Sequence, residues 1–255
     1  MFLFCFFCKV LACVTKLLPT RTQVAGCTGW GLIGNRSATE LEEIEEEKCV
    51  SVMLLRLPGT SVRAFSTSSL DIINSGCKNE DERTARWRRL AGVPEGCVDP
   101  VHSVLLSQGD QLSLSQFNDA FPTGTKVGGF VSSANRRKKR IFTREVHDEG
   151  NVFLCFRGQG TQFHVRVVSD KNVEVALASF PRGPRYLAGF LFSCVGRGSG
   201  YHGRVGVEAE VFKRRFPGVP LVGFFTGGEL GPQEGTTNLA FYSYTSVFCL
   251  VSVSS

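Results

Sequence analysis

Residues 215–231 read RFPGVPLVGFFTGGELG: Pro217 stops whatever precedes it, an extended apolar stretch reaches Gly223, and a glycine pair leads into Glu229. The same grammar occurs in LLPTRTQVAGCTGWGLIG (17–34) and AFPTGTKVGGFVSSA (120–134). Pro19 precedes Gly26 by seven residues, Pro122 precedes Gly129 by seven, and Pro217 precedes Gly223 by six. From these glycines to the next β-rich run the distances are 24 (Val50), 23 (Val152) and 24 (Val247), reaching VSVMLLRL, VFLCFRG and VFCLVSV. Three copies of one supersecondary unit are therefore expected.

Upstream of each proline lies a short amphipathic segment, clearest in VEAEVFKRRF, where Val207, Val211 and Phe212 recur as a helix face requires. Before it comes a strand candidate: FLFCFF, SVLLSQ or GFLFSCV. The unit reads strand, helix, strand, polar hairpin arm, strand. A crossover helix makes its two flanking strands a right-handed parallel pair, and the closing strand adds an antiparallel neighbour. The expected class is α/β, with repeated strand-helix-strand-strand units forming mixed sheets flanked by helices. Two units fall in 1–162 and one in 163–255. Between the first two, Asn79 is placed to cap a helix whose first turn is Glu80, Asp81 and Glu82 and which Gly92 ends.

The net charge of +6 is spread along the chain rather than gathered in one basic domain, and no zinc-finger or aromatic RNA-binding motif accompanies it, so no nucleic-acid partner is expected. The ten cysteines lie mostly in apolar runs, as in VFLCF and SVFCLVSV, which fits buried free thiols in a reducing compartment. Cys5 and Cys8 form a CxxC without a second ligand pair, so no metal is expected. The apolar run from Met1 to Val14, interrupted by Lys9, is shorter than the roughly 20 residues a membrane span needs. No membrane partner is expected, and the location is read as cytoplasmic, nuclear or both.

Chemistry concentrates in the turn after LAGFLFSCV. Cys194 should end that strand, and Gly196, Arg197, Gly198, Ser199, Gly200 and Gly203 follow before the helix around Val207. Amides exposed in a glycine-rich turn at a helix start favour negative charge, and the same field with Arg197 would lower a cysteine's pKa. Glu229 follows the Gly227-Gly228 turn. Thr28 to Trp30 and Ser132 to Ser133 end the corresponding strands, so these loops are expected to share one cleft with Cys194, Arg197, Gly198 and Glu229 as ligand-binding or reactive residues. Gly198, Gly200 and Gly203 spell GxGxxG, but no acidic residue about 20 positions on could hold a ribose, so no cofactor is expected. His202 is the one histidine near Cys194 in sequence, which leaves a thiol-dependent enzyme as an alternative. The charge runs, Glu40 to Glu47 and Arg136, Arg137, Lys138, Lys139 and Arg140, read as solvated arms, the basic one also as a nuclear import signal or docking patch.

FSCVGRG (192–198) followed by VEAEVFKRRFPGVPLVGFFTGGELG (207–231) resembles the C-terminal FIST domain. VAGCTGWGLIG (24–34), the acidic ELEEIEEE stretch and VSVMLLRLPG resemble its N-terminal partner. The name joins F-box proteins with intracellular signal transduction. The resemblance implies a non-catalytic recognition module that takes a protein substrate in ubiquitin-dependent degradation, with a small-molecule sensory domain as the alternative. The helical F-box that ligase receptors carry ahead of this region does not precede it here, so direct scaffold binding is not expected of these residues. In ASFPRGPRY (178–186), where the family places a helix, two prolines and a glycine disfavour one.

Overall fold

The computed structural model describes residues 3–35, 37, 40–45, 50–67, 76–108, 114–131 and 140–254. In chain order the elements are helix α1 (Leu3–Leu17), strands β1 (Gly26–Cys27), β2 (Gly31–Asn35), β3 (Leu41–Glu45) and β4 (Ser61–Thr67), helix α2 (Glu80–Leu90), β5 (Val101–Ser107), α3 (Leu114–Ala120), β6 (Lys126–Val131), β7 (Ile141–Phe142), β8 (Val146–His147), β9 (Asn151–Arg157), β10 (Thr161–Val168), α4 (Val173–Ala178), β11 (Tyr186–Cys194), α5 (Ser199–His202), α6 (Val207–Arg215), β12 (Leu221–Pro232), β13 (Leu239–Tyr242) and β14 (Ser246–Val253).

The class is mixed α/β, built on one large sheet. Eight strands run in the order β10-β14-β11-β12-β6-β5-β9-β4, with β13 and β2 attached at β12 and β3 attached to β2. The order is palindromic by role. In each half a parallel pair (β5 with β6, β11 with β12) meets an antiparallel closing strand (β9, β14) and an outer strand (β4, β10). The halves join through β12 and β6, which are antiparallel.

Side-chain alternation assigns the two faces. Leu105, Phe153 and Phe65 pack with Trp87 of α2 and Phe117 of α3. Phe248, Leu250 and Leu191 pack with Leu177 of α4 and Phe212 of α6. Their neighbours Val104, Val127, Val152, Val247 and Val251 face the other way, into a core that Leu57 and Ile141 help to close. The Asn79 cap forms as expected, its side chain accepting from the Glu82 amide at 2.9 Å.

The glycine in the signature is required by close approach. Gly223 stands beside Leu191, and a Cβ there would lie 2.0 Å from the Leu191 carbonyl oxygen. Gly128 stands beside Leu105 with the same conflict at 1.9 Å. Gly128 is thus the counterpart of Gly223, six residues after its own proline as Gly223 is, and not Gly129, whose neighbour is Thr226.

The first copy departs from the other two. Within FLFCFF, the described residues 3–7 are the start of α1 rather than a strand, because the run through Leu17 has no glycine or proline to break a helix. VSVMLLRL then has no first strand to pair with. It lies outside any ladder, with Val52 and Leu54 exposed and Leu55 and Leu57 against the core. Among the described residues no helix is long and apolar enough to cross a membrane.

Candidate functional site

The second half of β12 carries a bulge. Thr226 pairs with Val131 but Glu229 pairs with Gly129, so three steps on one strand match two on the other, with Gly228 at φ 150°. In a regular strand residues three apart point to opposite faces; the bulge returns Thr226 and Glu229 to the same one, and Thr226 Oγ1 donates to Glu229 Oε1 at 2.5 Å. Thr245 adds two donors to Glu229 Oε2, its amide at 3.1 Å and its hydroxyl at 2.9 Å. Cys194 stands beside Thr226 across the parallel pair, and its thiol donates to the same carboxylate. Burial raises the Glu229 pKa above the usual carboxylate range, against the pull of these donors.

Beside this group lies a second. Arg197 is 1% exposed. Its Nε donates to Glu208 Oε1 at 3.0 Å and Ser246 Oγ at 2.9 Å, its Nη2 to the Asp170 carbonyl at 2.8 Å, and the guanidinium lies over the Tyr201 ring. Ser246 donates to Glu208 Oε2 at 2.6 Å and meets Ser193 at 2.9 Å. Burial opposes ionisation of Glu208, but the bonds from His202, Ser246 and Arg197 outweigh it and hold the carboxyl below its usual range. Thr245 and Ser246, adjacent in sequence, join the two groups into one buried polar junction.

The structure therefore brings Cys194, Arg197, Gly198 and Glu229 together, but as a packed junction and not as the lining of an open cleft. The two parallel pairs run in opposite directions, and their carboxyl ends, Cys194 and Val131, converge on Thr226. Thr28 is also buried, held by the Arg140 backbone, whereas Ser132 and Ser133 lie outside the described residues. A cleft of about 860 Å3 opens instead near the start of β12, lined by Leu41, Lys213, Phe216, Pro217 and Val219 and by none of the four.

The Cys194 thiol departs from the expected lowering. Burial pushes its pKa up and the adjoining Glu229 adds to this, outweighing the amides of Gly196 and Tyr244 that point at the sulfur. Tyr244 lies beside the thiol at Gly196, where a Cβ would stand 3.3 Å from its ring and 3.7 Å from the sulfur; it is 72% exposed and holds φ 57°, the one described non-glycine residue with positive φ. His202 does not reach Cys194: its Nε2 lies 3.3 Å from Glu208.

The expected affinity of the glycine-rich turn for negative charge is satisfied from within the chain. Glu45 accepts from the Ser199 amide at 2.8 Å and hydroxyl at 3.0 Å, and Glu43 accepts from the Ala209 amide at 2.6 Å. Part of the acidic arm is thus docked rather than solvated. A Cβ at Gly198 would meet the Glu45 carboxylate at 2.7 Å, so the close seat of that carboxylate requires glycine there. In the basic arm, residues 136–139 lie outside the described residues, and Arg140 is buried with Nε 3.5 Å from Asp148.

Sequence reasoning missed Glu208, Ser246, Tyr244, Glu43 and Glu45 as site residues. Glu208 was findable, since it shares a helical face with Val211 and Phe212 at i+3 and i+4 and so had to be buried and paired.

Comparison with known proteins identifies the family. The FIST N domain model matches residues 2–172 and the FIST C domain model residues 142–232. F-box only protein 22 from Homo sapiens is 31% identical over 153 residues, covering 51% of this chain and 38% of that protein, and its Pongo abelii counterpart matches equally. An uncharacterised protein of Mycobacterium tuberculosis (strain CDC 1551 / Oshkosh) is 36% identical over 99 residues, 36% of this chain and 25% of its own length. The chain spans under two fifths of the length of these relatives. With a family model matching well over half its residues, the chain belongs to the FIST family.

Proposed function

We propose that this chain is a non-catalytic FIST recognition module that presents the surface around the Cys194 turn to a protein substrate in ubiquitin-dependent degradation. The observation that carries the reading is the saturation of the polar junction. Arg197, Glu208, Ser246 and Glu229 all bond to one another or to neighbouring groups, and Cys194 faces a carboxylate where nucleophilic catalysis would want an imidazole. Such a junction makes a rigid platform, with Gly196, Val195 and Tyr244 exposed upon it. The kinship with F-box only protein 22 supports the link to F-box proteins and so to ubiquitin ligases, and the place of action proposed with it is cytoplasmic or nuclear. Reciprocal affinity purification tests it: the chain and an F-box partner, and through that partner a ligase scaffold, should each co-isolate the other. Repeated failure in both directions removes the ubiquitin reading.

The second reading, a small-molecule sensory domain, is favoured by the 860 Å3 cleft, whose apolar floor of Leu41, Phe216, Pro217 and Val219 lies beside Lys213. Thermal-shift screening that finds a stabilising metabolite, abolished by Phe216→Ala, would move the assignment there.

A further inference from the structure

We propose that His102 is an acid-sensitive clasp between the two halves of the sheet, closed while its imidazole is neutral and opened when Nδ1 takes up a proton.

β10 is the outer strand of one half, paired with β14 alone, whereas β5 belongs to the other half and is not its neighbour in the strand order. Alternation puts His102 on the same face as Val104 and Leu106, towards the core that both halves line and where Phe156 and Phe163 pack. There the start of β10 lies against the starts of β5 and β6, joined to them by a short row of side chains. Thr125 Oγ1 donates to the Phe163 carbonyl at 3.3 Å, Thr60 and Thr161 meet through their hydroxyls, and His102 bonds to both Thr125 and Thr161.

The protonation state of the ring follows from these partners. The Thr125 amide can only donate, and it points at Nδ1 from 3.0 Å, so Nδ1 carries a lone pair and the ring proton sits on Nε2. Nε2 then donates to the Thr161 carbonyl at 3.1 Å, and the ring lies on Phe163 with centroids 4.8 Å apart and planes inclined by 13°. Both nitrogens of a neutral imidazole are thereby satisfied at 8% exposure. An imidazolium cannot keep this arrangement, because two N–H groups would face each other at Nδ1 and the Thr125 amide would lose its acceptor. The titratable groups that face the ring are Lys126 from β6 and His164 from β10, while β9 places Phe156 opposite it. Neither group is a carboxylate, so an imidazolium finds no compensation in them. Burial first, with these two charges beside it, pushes the His102 pKa down to about 4, against the bond to the Thr161 carbonyl.

The hydrogen bonds alone set the sign. A histidine held neutral in the closed seam and free to charge once it opens stabilises closure fully above its ordinary value of 6.5, and progressively less as pH falls towards the closed value. A single proton limits the rise in opening to about tenfold per pH unit. Opening frees the Thr161 and Phe163 carbonyls on the outer edge of β10, a ready template for an added strand.

Hydrogen exchange on the intact chain at about pH 7.5 and about pH 5, corrected for intrinsic rates, reads the clasp directly. Peptides covering Thr161–Val168 and the Thr125 amide should open about 30-fold more readily at the lower pH. His102→Gln keeps an acceptor and a donor but cannot charge, and should hold opening flat across that range. His164→Gln removes the neighbouring histidine and should keep the rise. If His102→Gln does not fold, NMR of the imidazole nitrogens in the unmodified chain decides: the neutral ring should carry its proton on Nε2 and titrate well below 6.5. Opening that is flat with pH in the native chain, a rise that survives His102→Gln or vanishes with His164→Gln, a proton on Nδ1, or a His102 midpoint at or above 6.5 would each overturn the clasp. None of these readouts involves a partner, so the clasp and the recognition reading are tested apart.

Discussion

Arg197→Met removes the cation at the centre of the junction and leaves Glu208 buried and charged at 1% exposure. Methionine fills much of the arginine stem's volume, so the cost is chiefly electrostatic. Removing one partner of a buried ion pair costs about 3–5 kcal/mol, to which the loss of donors to the Asp170 and Tyr244 carbonyls adds about 1 kcal/mol each. Domains of this size have about 5–15 kcal/mol of stability, so the variant should be severely weakened yet within reach of a urea titration. Restoring a neutral partner with Arg197→Met/Glu208→Gln should recover about half of the loss, because the uncompensated charge is gone. The pH dependence reverses as well. In the native chain Glu208 is held below its ordinary pKa, contributing stability above about 4.5 that fades as pH falls. Without Arg197 burial dominates, and acidification should narrow the gap between variant and native chain. A urea midpoint for Arg197→Met corresponding to a loss of less than about 1 kcal/mol, or a double variant as unstable as the sum of its parts, would show that the Arg197–Glu208 pair does not hold the junction together.

Three further outcomes are expected. Alkylation of native Cys194 should be slow at neutral pH and accelerate only above the usual thiol range, since burial and Glu229 disfavour the thiolate; rapid labelling at pH 7 contradicts this. Tyr244→Gly relieves a left-handed tyrosine and opens the approach to the thiol, so labelling should quicken while stability holds or rises by up to about 1 kcal/mol. Gly223→Ala and Gly128→Ala should each cost about 3 kcal/mol or more, because the added methyl meets a carbonyl oxygen at 2.0 or 1.9 Å; thermal melts that leave either variant unchanged would remove the claimed equivalence.

Much of the sheet was legible because proline, glycine and alternating apolar runs are local marks of chain geometry. The unit strand-helix-strand-arm-strand holds in the second and third copies, where close strand approach demands glycine at 128 and 223. It fails in the first because residues 3–17 satisfy helical and strand patterning alike, and what decides is a fifteen-residue run free of breakers. The proximity of Cys194 to Glu229 was expected from strand ends, but not its closed character. That depends on an antiparallel junction and a bulge at Gly228, which emerge only once Thr226 is seen between Cys194 and Val131. The acidic arm read as solvated because a charge run carries no record of what it meets. Glu43 and Glu45 reach amides more than 150 residues away, pairings that no spacing in the chain announces.

The claim on which the functional account rests is that recognition uses the surface above Cys194. Cysteine footprinting of the chain, alone and in a purified complex with its ligase-associated partner, tests it most directly. Cys194 should be protected in the complex by at least tenfold in rate, about 1.4 kcal/mol, while Cys13 on α1 labels equally in both states. Equal labelling of Cys194 in the two states would show that the partner binds elsewhere, and the assignment of the recognition surface would be wrong.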